Sequence, residues 1–315
     1  MESRGSEMGG AGKMAQQVGF IGLGLMGGNM VNRLAECGIS VLAFELRKEV
    51  AEGFKHLAAL AGSAAEVAAN CDIICSSLPH SKAVTDVYLG EDGVLKNAKA
   101  GTVCIDLSSV DLQTTRVCYE AGKKSGVGFV DSPVSGGPAN CYDGTLTLII
   151  GGDDEDVAKG EAVFQALGGK GVIHRAGPSG AGVTVKLVNN AIAISNMVTT
   201  TEGFMLGVKA GVDPDLLYQI LNTSGARSYH LNKRIPWVLD GSMAEPRFKL
   251  ETARKDVGLA LDMAHQIGMP LPVIANAYEL LNVGMSQGWG EEDCVAIVKF
   301  YEQLAGVNGR SRKLA

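Results

Sequence analysis

Apolar residues along this chain fall into two regimes. Up to Ala176, short apolar runs alternate with helix-like stretches. Val18–Gly22, Ile39–Glu45, Asp72–Leu78 and Thr102–Ser108 read as strands, and Ala64–Asn70 as a short helix. Phe129–Asp131, Thr145–Gly152 and Gly171–Ala176 continue the strand series. Alternation stops at Gly177-Pro-Ser-Gly180, and from Ala181 onward the pattern is helical. Asp213-Pro214 is an N-cap followed by proline at the first helical position. Arg254-Lys255-Asp256 lies on an amphipathic helix ending near Gly268, Pro270 and Pro272 precede a helix running to about Gln287, and Glu291-Glu-Asp293 opens the last one.

The first strand runs into Gly22-Leu-Gly24-Leu25-Met26-Gly27, a GxGxxG turn, and then into a helix that Gly38 ends. The second strand ends on Glu45. Strand, glycine turn, helix and strand with a following acidic residue form the dinucleotide-binding pattern. Small residues let the backbone approach a pyrophosphate, which the helix N-terminus attracts. Glu45 can accept hydrogen bonds from a ribose diol and repels a 2′-phosphate, which favours NAD. Arg47 is close enough to reach a 2′-phosphate, so NADP stays open. The predicted fold class is α/β: a Rossmann-type, doubly wound, mostly parallel sheet over residues 17–178. An all-helical substrate and oligomerisation domain follows over 179–307, joined by a long helix. Residues 1–16 and 308–315 read as tails.

In open α/β sheets, ligands bind beyond the carboxyl ends of the strands. Leu78, Pro79 and Ser109 are therefore candidates to line the cofactor, although ordinary loop residues would look the same. Ser135-Gly136-Gly137 follows another strand, and its N–H groups could hold a carboxylate; the alternative is a flexible crossover loop.

The long helix opens with Gly180-Ala-Gly182 and carries Lys186 and Asn190 four residues apart, on one face. Its flanks are apolar on nearly every side, which marks a buried helix. A lysine there is paired, solvated in a cleft, or shifted in pKa, and each state suits a proton donor; snorkelling from a helix end is the plainer alternative. Such an apolar helix is expected to be shared between domains or subunits.

The net charge of −6 argues against nucleic acid and anionic membranes as partners. No apolar run reaches the ~18 residues of a membrane span. Seven cysteines without a CxxC pair read as reduced thiols of a cytoplasmic protein. Five scattered histidines lack metal-ligand spacing, so no metal is expected.

Four motifs in order resemble the β-hydroxyacid dehydrogenase family: Gly19–Gly27, Asp131–Gly137 with Gly144-Thr-Leu146, Gly180–Asn190, and Lys255–Leu259. The resemblance covers about residues 17–307. It implies that Gly24, Leu25, Met26 and Glu45 hold the adenosine half of the cofactor. Leu78, Pro79 and Ser109 would hold the nicotinamide side, and Lys255 would close over it. Ser135, Gly136 and Gly137 would hold the substrate carboxylate, with Lys186 as acid/base and Asn190 on the substrate hydroxyl. Ser132 and His80 depart from the usual alanine and asparagine. The implied reaction is reversible NAD(P)-dependent oxidation of a small 3-hydroxy carboxylate by a homo-oligomer, dimer or tetramer. Arg227, after Thr223-Ser-Gly-Ala226, is a candidate for gripping a second anionic group on the substrate; a solvated surface arginine is the alternative. Two rival classes are a non-catalytic dinucleotide-binding scaffold, disfavoured by the presence of Lys186, and an enzyme of the 6-phosphogluconate dehydrogenase type, for which no basic cluster is evident.

Overall fold

The computed structural model describes residues 17–313; the N-terminal tail expected at 1–16 lies outside them. The first half alternates as the apolar pattern predicts. It runs β1 (Val18–Ile21), α1 (Leu25–Glu36), β2 (Val41–Phe44), α2 (Lys48–Glu52), β3 (Ala59–Leu60), α3 (Ala64–Asn70), β4 (Ile73–Ser76), α4 (Ser81–Leu89) and α5 (Val94–Asn97). Then come β5 (Val103–Asp106), α6 (Leu112–Lys124), β6 (Gly128–Asp131), β7 (Val134–Ser135), α7 (Pro138–Asp143), β8 (Thr147–Gly151), α8 (Asp154–Lys159), α9 (Glu161–Gly168) and β9 (Val172–Gly177). The strands form one sheet in the order β3-β2-β1-β4-β5-β6-β8-β7, with β9 beside β8. The first six pair in parallel, and β8 runs antiparallel to β6 and β7. Strand order reverses at β1, which places the crevice for a ligand beyond the ends of β1 and β4.

Alternate residues of each strand feed opposite faces. Phe20, Ala43, Cys75 and Ile105 pack on one side with Met30 and Leu34 of α1, while Ile21, Ile74, Cys104 and Phe129 pack on the other with Val67, Tyr88 and Cys118.

The second half is helical: α10 (Ala181–Lys209), α11 (Pro214–Asn222), α12 (Tyr229–Asp240), α13 (Leu250–Ile267), α14 (Pro272–Ser286) and α15 (Val298–Ala305). The caps are those the residues call for: Asp213 accepts Leu216 N–H, and Gly268 closes α13 with φ 70°. The 29-residue α10 explains its own apolarity. Val183, Leu187 and Ala191 complete the sheet-side core, whereas Ile194, Met197, Val198 and Phe204 enter the helical core. One helix is thus built into both halves. Its start is pressed onto the sheet, for a Cβ at Gly182 would overlap the Ile149 carbonyl.

Two expectations need correction. The last helix does not begin at Glu291–Asp293: a 3-10 turn, Cys294–Ile297, comes first, and Asp293 is fully buried. The expected C-terminal tail is docked over residues 308–313. Ser311 N–H donates to Leu239 O, Ser311 Oγ to Asp215, and Arg310 pairs with Glu302. Among the described residues no helix is long and apolar enough to cross a membrane.

Candidate active site

The three glycines of the first turn have three different reasons. Gly22 has φ 94°, and a Cβ there would overlap the Ser77 carbonyl. A Cβ at Gly27 would overlap Gly22 O, so α1 and β1 can approach only through glycine. Gly24, by contrast, faces open space apart from the Arg47 guanidinium at 4.0 Å. It is the N-cap of α1 and leaves a bare surface at the positive end of the helix. Leu25 beside it is 73% exposed, and Met26 turns inward against Cys141.

Glu45 closes this turn from β2. Its carboxylate accepts Leu23 N–H at 2.8 Å and pairs with Arg47 at 2.9 Å. Partial burial alone would raise its pKa, but hydrogen bonds from the Arg47 side chain and from the Arg47 and Leu23 N–H groups outweigh that and hold it below the usual carboxylate range. An ionised acceptor at the end of β2, beside an open glycine face, fits the adenosine half of a dinucleotide.

Leu78, Pro79 and Ser109 lie just past the ends of β4 and β5, and Lys255 of α13 reaches across to them. Its Nζ donates to Ser109 O at 2.9 Å and to Pro79 O at 3.3 Å. The neighbouring Asp256, 2% exposed, accepts Asn190 Nδ2 at 2.7 Å. Asn190 Oδ1 in turn accepts Asn189 Nδ2 at 3.0 Å. Loop ends, Lys255, Asp256 and Asn190 therefore form one connected network, and Lys186 lies one helical turn before Asn190.

Lys186 is 9% exposed. Burial lowers its pKa from the ordinary lysine value, the Asp256 charge opposes that, and Lys255 adds to it. Its Nζ has no ion pair or hydrogen bond among the described residues. Asp256 was not singled out by sequence reasoning; its only signal was adjacency to Lys255 in the same motif.

Asp131 was also missed as a participant. Its carboxylate caps the start of α10, accepting Gly180 N–H at 2.7 Å and Val183 N–H at 2.9 Å. Burial pushes its pKa up to about 6 against those two bonds. It thereby ties the N-terminus of α10 to the strand that leads into Ser132–Gly137.

In that loop Ser135 pairs with Thr147 across β7 and β8. Gly136 has φ 136° and is exposed, but Gly137 N–H already donates to Asn140 Oδ1 at 2.9 Å. The Gly137 N–H of the expected clamp thus has a partner in α7, whereas Gly136 is exposed. Arg227 is exposed in the turn between α11 and α12, with its N–H on Ser224 O.

Known proteins are similar to this chain over nearly its whole length. Residues 17–177 match the NAD binding domain of 6-phosphogluconate dehydrogenase, and residues 180–301 match the NAD-binding domain of NADP-dependent 3-hydroxyisobutyrate dehydrogenase. The 2-(hydroxymethyl)glutarate dehydrogenase of Eubacterium barkeri is 37% identical, over 93% of this chain and 97% of that one. The NAD-dependent L-serine dehydrogenase of Pseudomonas aeruginosa is 32% identical, over 92% and 99%. Among solved structures, the 3-hydroxyisobutyrate dehydrogenase of Mycobacterium tuberculosis, determined with L-serine, superposes with a TM-score of 0.84 at 25% identity, over 91% and 99%. The chain belongs to the β-hydroxyacid dehydrogenase family, and it is an NAD(P)-dependent oxidoreductase acting on a hydroxy acid.

Proposed function

We propose that this enzyme reversibly oxidises a 3-hydroxy carboxylate to its semialdehyde or ketone, with Lys186 as general acid/base. The observation that carries the reading is the network from Pro79 and Ser109 through Lys255, Asp256 and Asn190 to the turn of α10 that bears Lys186. The nicotinamide, when bound, supplies the hydride acceptor. Gly22, Gly24, Leu25, Met26, Gly27 and Glu45 hold the adenosine side; Leu78, Pro79, Ser109 and Lys255 hold the nicotinamide side. Ser135, Gly136 and Gly137 fix the substrate carboxylate, with Gly137 N–H exchanging its Asn140 partner for the substrate. Neutral Lys186 takes the hydroxyl proton in oxidation, and protonated Lys186 returns it to the carbonyl oxygen in reduction. Asn190 has one Nδ2 hydrogen beyond the one given to Asp256, and it serves the substrate oxygen. A panel of 3-hydroxy acids and semialdehydes, followed by reduced-cofactor absorbance with NAD(H) and NADP(H), tests the reading. Absence of turnover across the panel would refute the 3-hydroxy carboxylate as its substrate class.

NAD is preferred, because an ionised Glu45 repels a 2′-phosphate while its Arg47 partner is engaged. Glu45→Gln keeps an acceptor for Leu23 N–H and releases Arg47. It should narrow the ratio of kcat/KM for NAD over NADP by about tenfold. Equal kcat/KM for both cofactors in the unaltered enzyme would refute this account.

Arg227 selects a second anionic group, as on 2-(hydroxymethyl)glutarate; threonate, 3-hydroxyisobutyrate and tartronate semialdehyde are the alternative substrates. A guanidinium can grip a carboxylate with two parallel bonds. Arg227→Ala should raise KM for a dianionic substrate more than about tenfold and leave a small monoanion nearly unaffected. Equal losses on both would remove Arg227 from the site.

The protein is a homo-oligomer paired through α10. Val185, Val188, Ile192 and Leu206 of that helix are 45–72% exposed, at spacings that share a face. Ile192→Glu with Leu206→Glu should reduce the mass seen by light scattering to that of one chain. An unchanged mass would place the interface elsewhere. Seven free thiols, six of them buried, fit a reducing compartment, and we place the enzyme in the cytoplasm; cell fractionation would test this.

A further inference from the structure

A buried chain of polar side chains lies beneath the ends of β4 and β5. Asp106, 1% exposed, accepts Ser76 Oγ–H at 2.8 Å, Ser108 Oγ–H at 2.5 Å and Ser108 N–H at 3.2 Å, all on one oxygen. Tyr88 Oη lies 2.8 Å from Ser76 Oγ. Ser108 Oγ accepts Leu78 N–H at 2.9 Å.

With Asp106 as the carboxylate, the direction of every bond in this chain is fixed. A backbone N–H can only donate, so Ser108 Oγ turns a lone pair to Leu78 and its proton to Asp106. Ser76 likewise spends its one proton on Asp106 and must accept from Tyr88. Bonds run inward from both sides to a carboxylate, the side chain with acceptors alone. A fully buried polar chain at strand ends costs desolvation that an apolar core would avoid, so the placement calls for a reason. The reason is the position of Leu78. The Leu78-Pro79 turn is held from below by Ser108 and from above by Lys255, which binds Pro79 O and, past the end of the adjoining strand, Ser109 O.

We propose that Ser108, oriented by Asp106, is a positioning residue of the nicotinamide-side cradle, locking the Leu78-Pro79 turn to the end of β5 before any cofactor arrives. The proposal rests on the reading that Leu78, Pro79 and Ser109 face the nicotinamide. Its consequence is a preorganised surface: the cofactor does not have to order this turn when it binds.

The test uses the full-length protein and two readouts. The first is amide hydrogen exchange at Leu78 in the cofactor-free protein. Ser108→Ala removes the acceptor of Leu78 N–H, and exchange at Leu78 should speed up about tenfold or more while amides in β5 remain protected. The second is NADH affinity by fluorescence titration, which should weaken about five- to twentyfold. Ser108→Thr, which keeps a hydroxyl, should recover most of both. Asp106→Asn, which keeps one acceptor oxygen, should fall between wild type and Asp106→Ala. Unchanged Leu78 exchange in Ser108→Ala overturns the proposal at its physical link. Faster exchange with unchanged NADH affinity shows the link to exist but overturns its role, and with it the placement of Leu78 at the cofactor. Global loss of protection in Ser108→Ala with no rescue by threonine assigns the chain to core stability and also overturns the positioning role.

Discussion

Lys186→Ala is expected to lower kcat by about 100- to 10,000-fold while NADH affinity stays nearly unchanged, the range over which a positioned general acid or base contributes. The side chain sits in α10 and hydrogen-bonds to neither the glycine turn nor Glu45, so its loss leaves the adenosine-side bonds intact. Lys186→Ala also creates a cavity, and a thermal melt separates that effect from catalysis. The pH dependence gives a second, sharper signature. Burial favours the neutral amine and lowers the Lys186 pKa, with Asp256 pulling the other way. Oxidation needs the neutral amine, so its rate rises with pH through that pKa; reduction needs the ammonium, so its rate falls through the same value. Asp256→Asn removes the charge that favours the ammonium, and both limbs should move to lower pH. A variant retaining more than about a tenth of kcat, with hydride transfer limiting, would take the acid/base role away from Lys186.

The parts of the site legible in the sequence are those whose demands are local. Gly22, Gly24 and Gly27 could be read because a turn, an open approach and a tight helix packing each need glycine within six residues of one another. Lys186 and Asn190 could be read because a helix puts them on one face. The partners of Lys255 could not: Pro79 O and Ser109 O are backbone atoms 176 and 146 residues away, and no side-chain pattern announces them. Gly137 shows the same limit from the other side: the Ser-Gly-Gly turn was read without Asn140, whose Oδ1 accepts the Gly137 N–H. The shared role of α10 was half visible. Apolar flanks on every side implied neighbours on every side, but only the fold shows that Leu187 serves the sheet and Val198 the helices. Asp131 has a similar history: the motif around it was noted, yet a carboxylate that caps a helix some fifty residues further along leaves no periodic trace.

Asp293→Ala is expected to be among the most destabilising substitutions in the helical half, costing about 3–5 kcal/mol or preventing folding. Read in sequence, Glu291-Glu-Asp293 is an acidic helix start, and Asp293 does accept Val295 N–H as a cap would. In the fold it is also a fully buried hub. It pairs with the buried Arg234 of α12 and accepts Arg247 N–H and Phe248 N–H, both at 3.1 Å. These bonds set the segment that leads into α13, whose first turn is held by Leu250 N–H on Glu292 O and Glu251 N–H on Gly290 O. Since α13 carries Lys255 and Asp256, the hub also sets their height above the loop ends. An asymmetry follows. Removing Asp293 leaves a buried guanidinium and three backbone N–H groups without their acceptor. Removing Arg234 leaves a carboxylate that three N–H groups still solvate. Arg234→Met should therefore cost clearly less than Asp293→Ala, although in an isolated buried pair the two losses would be similar. Urea unfolding of both variants, followed at a probe in the helical half such as Trp237 fluorescence, measures the difference. Equal losses would mean that the ion pair itself, and not the backbone hydrogen bonds to Asp293, holds this corner together.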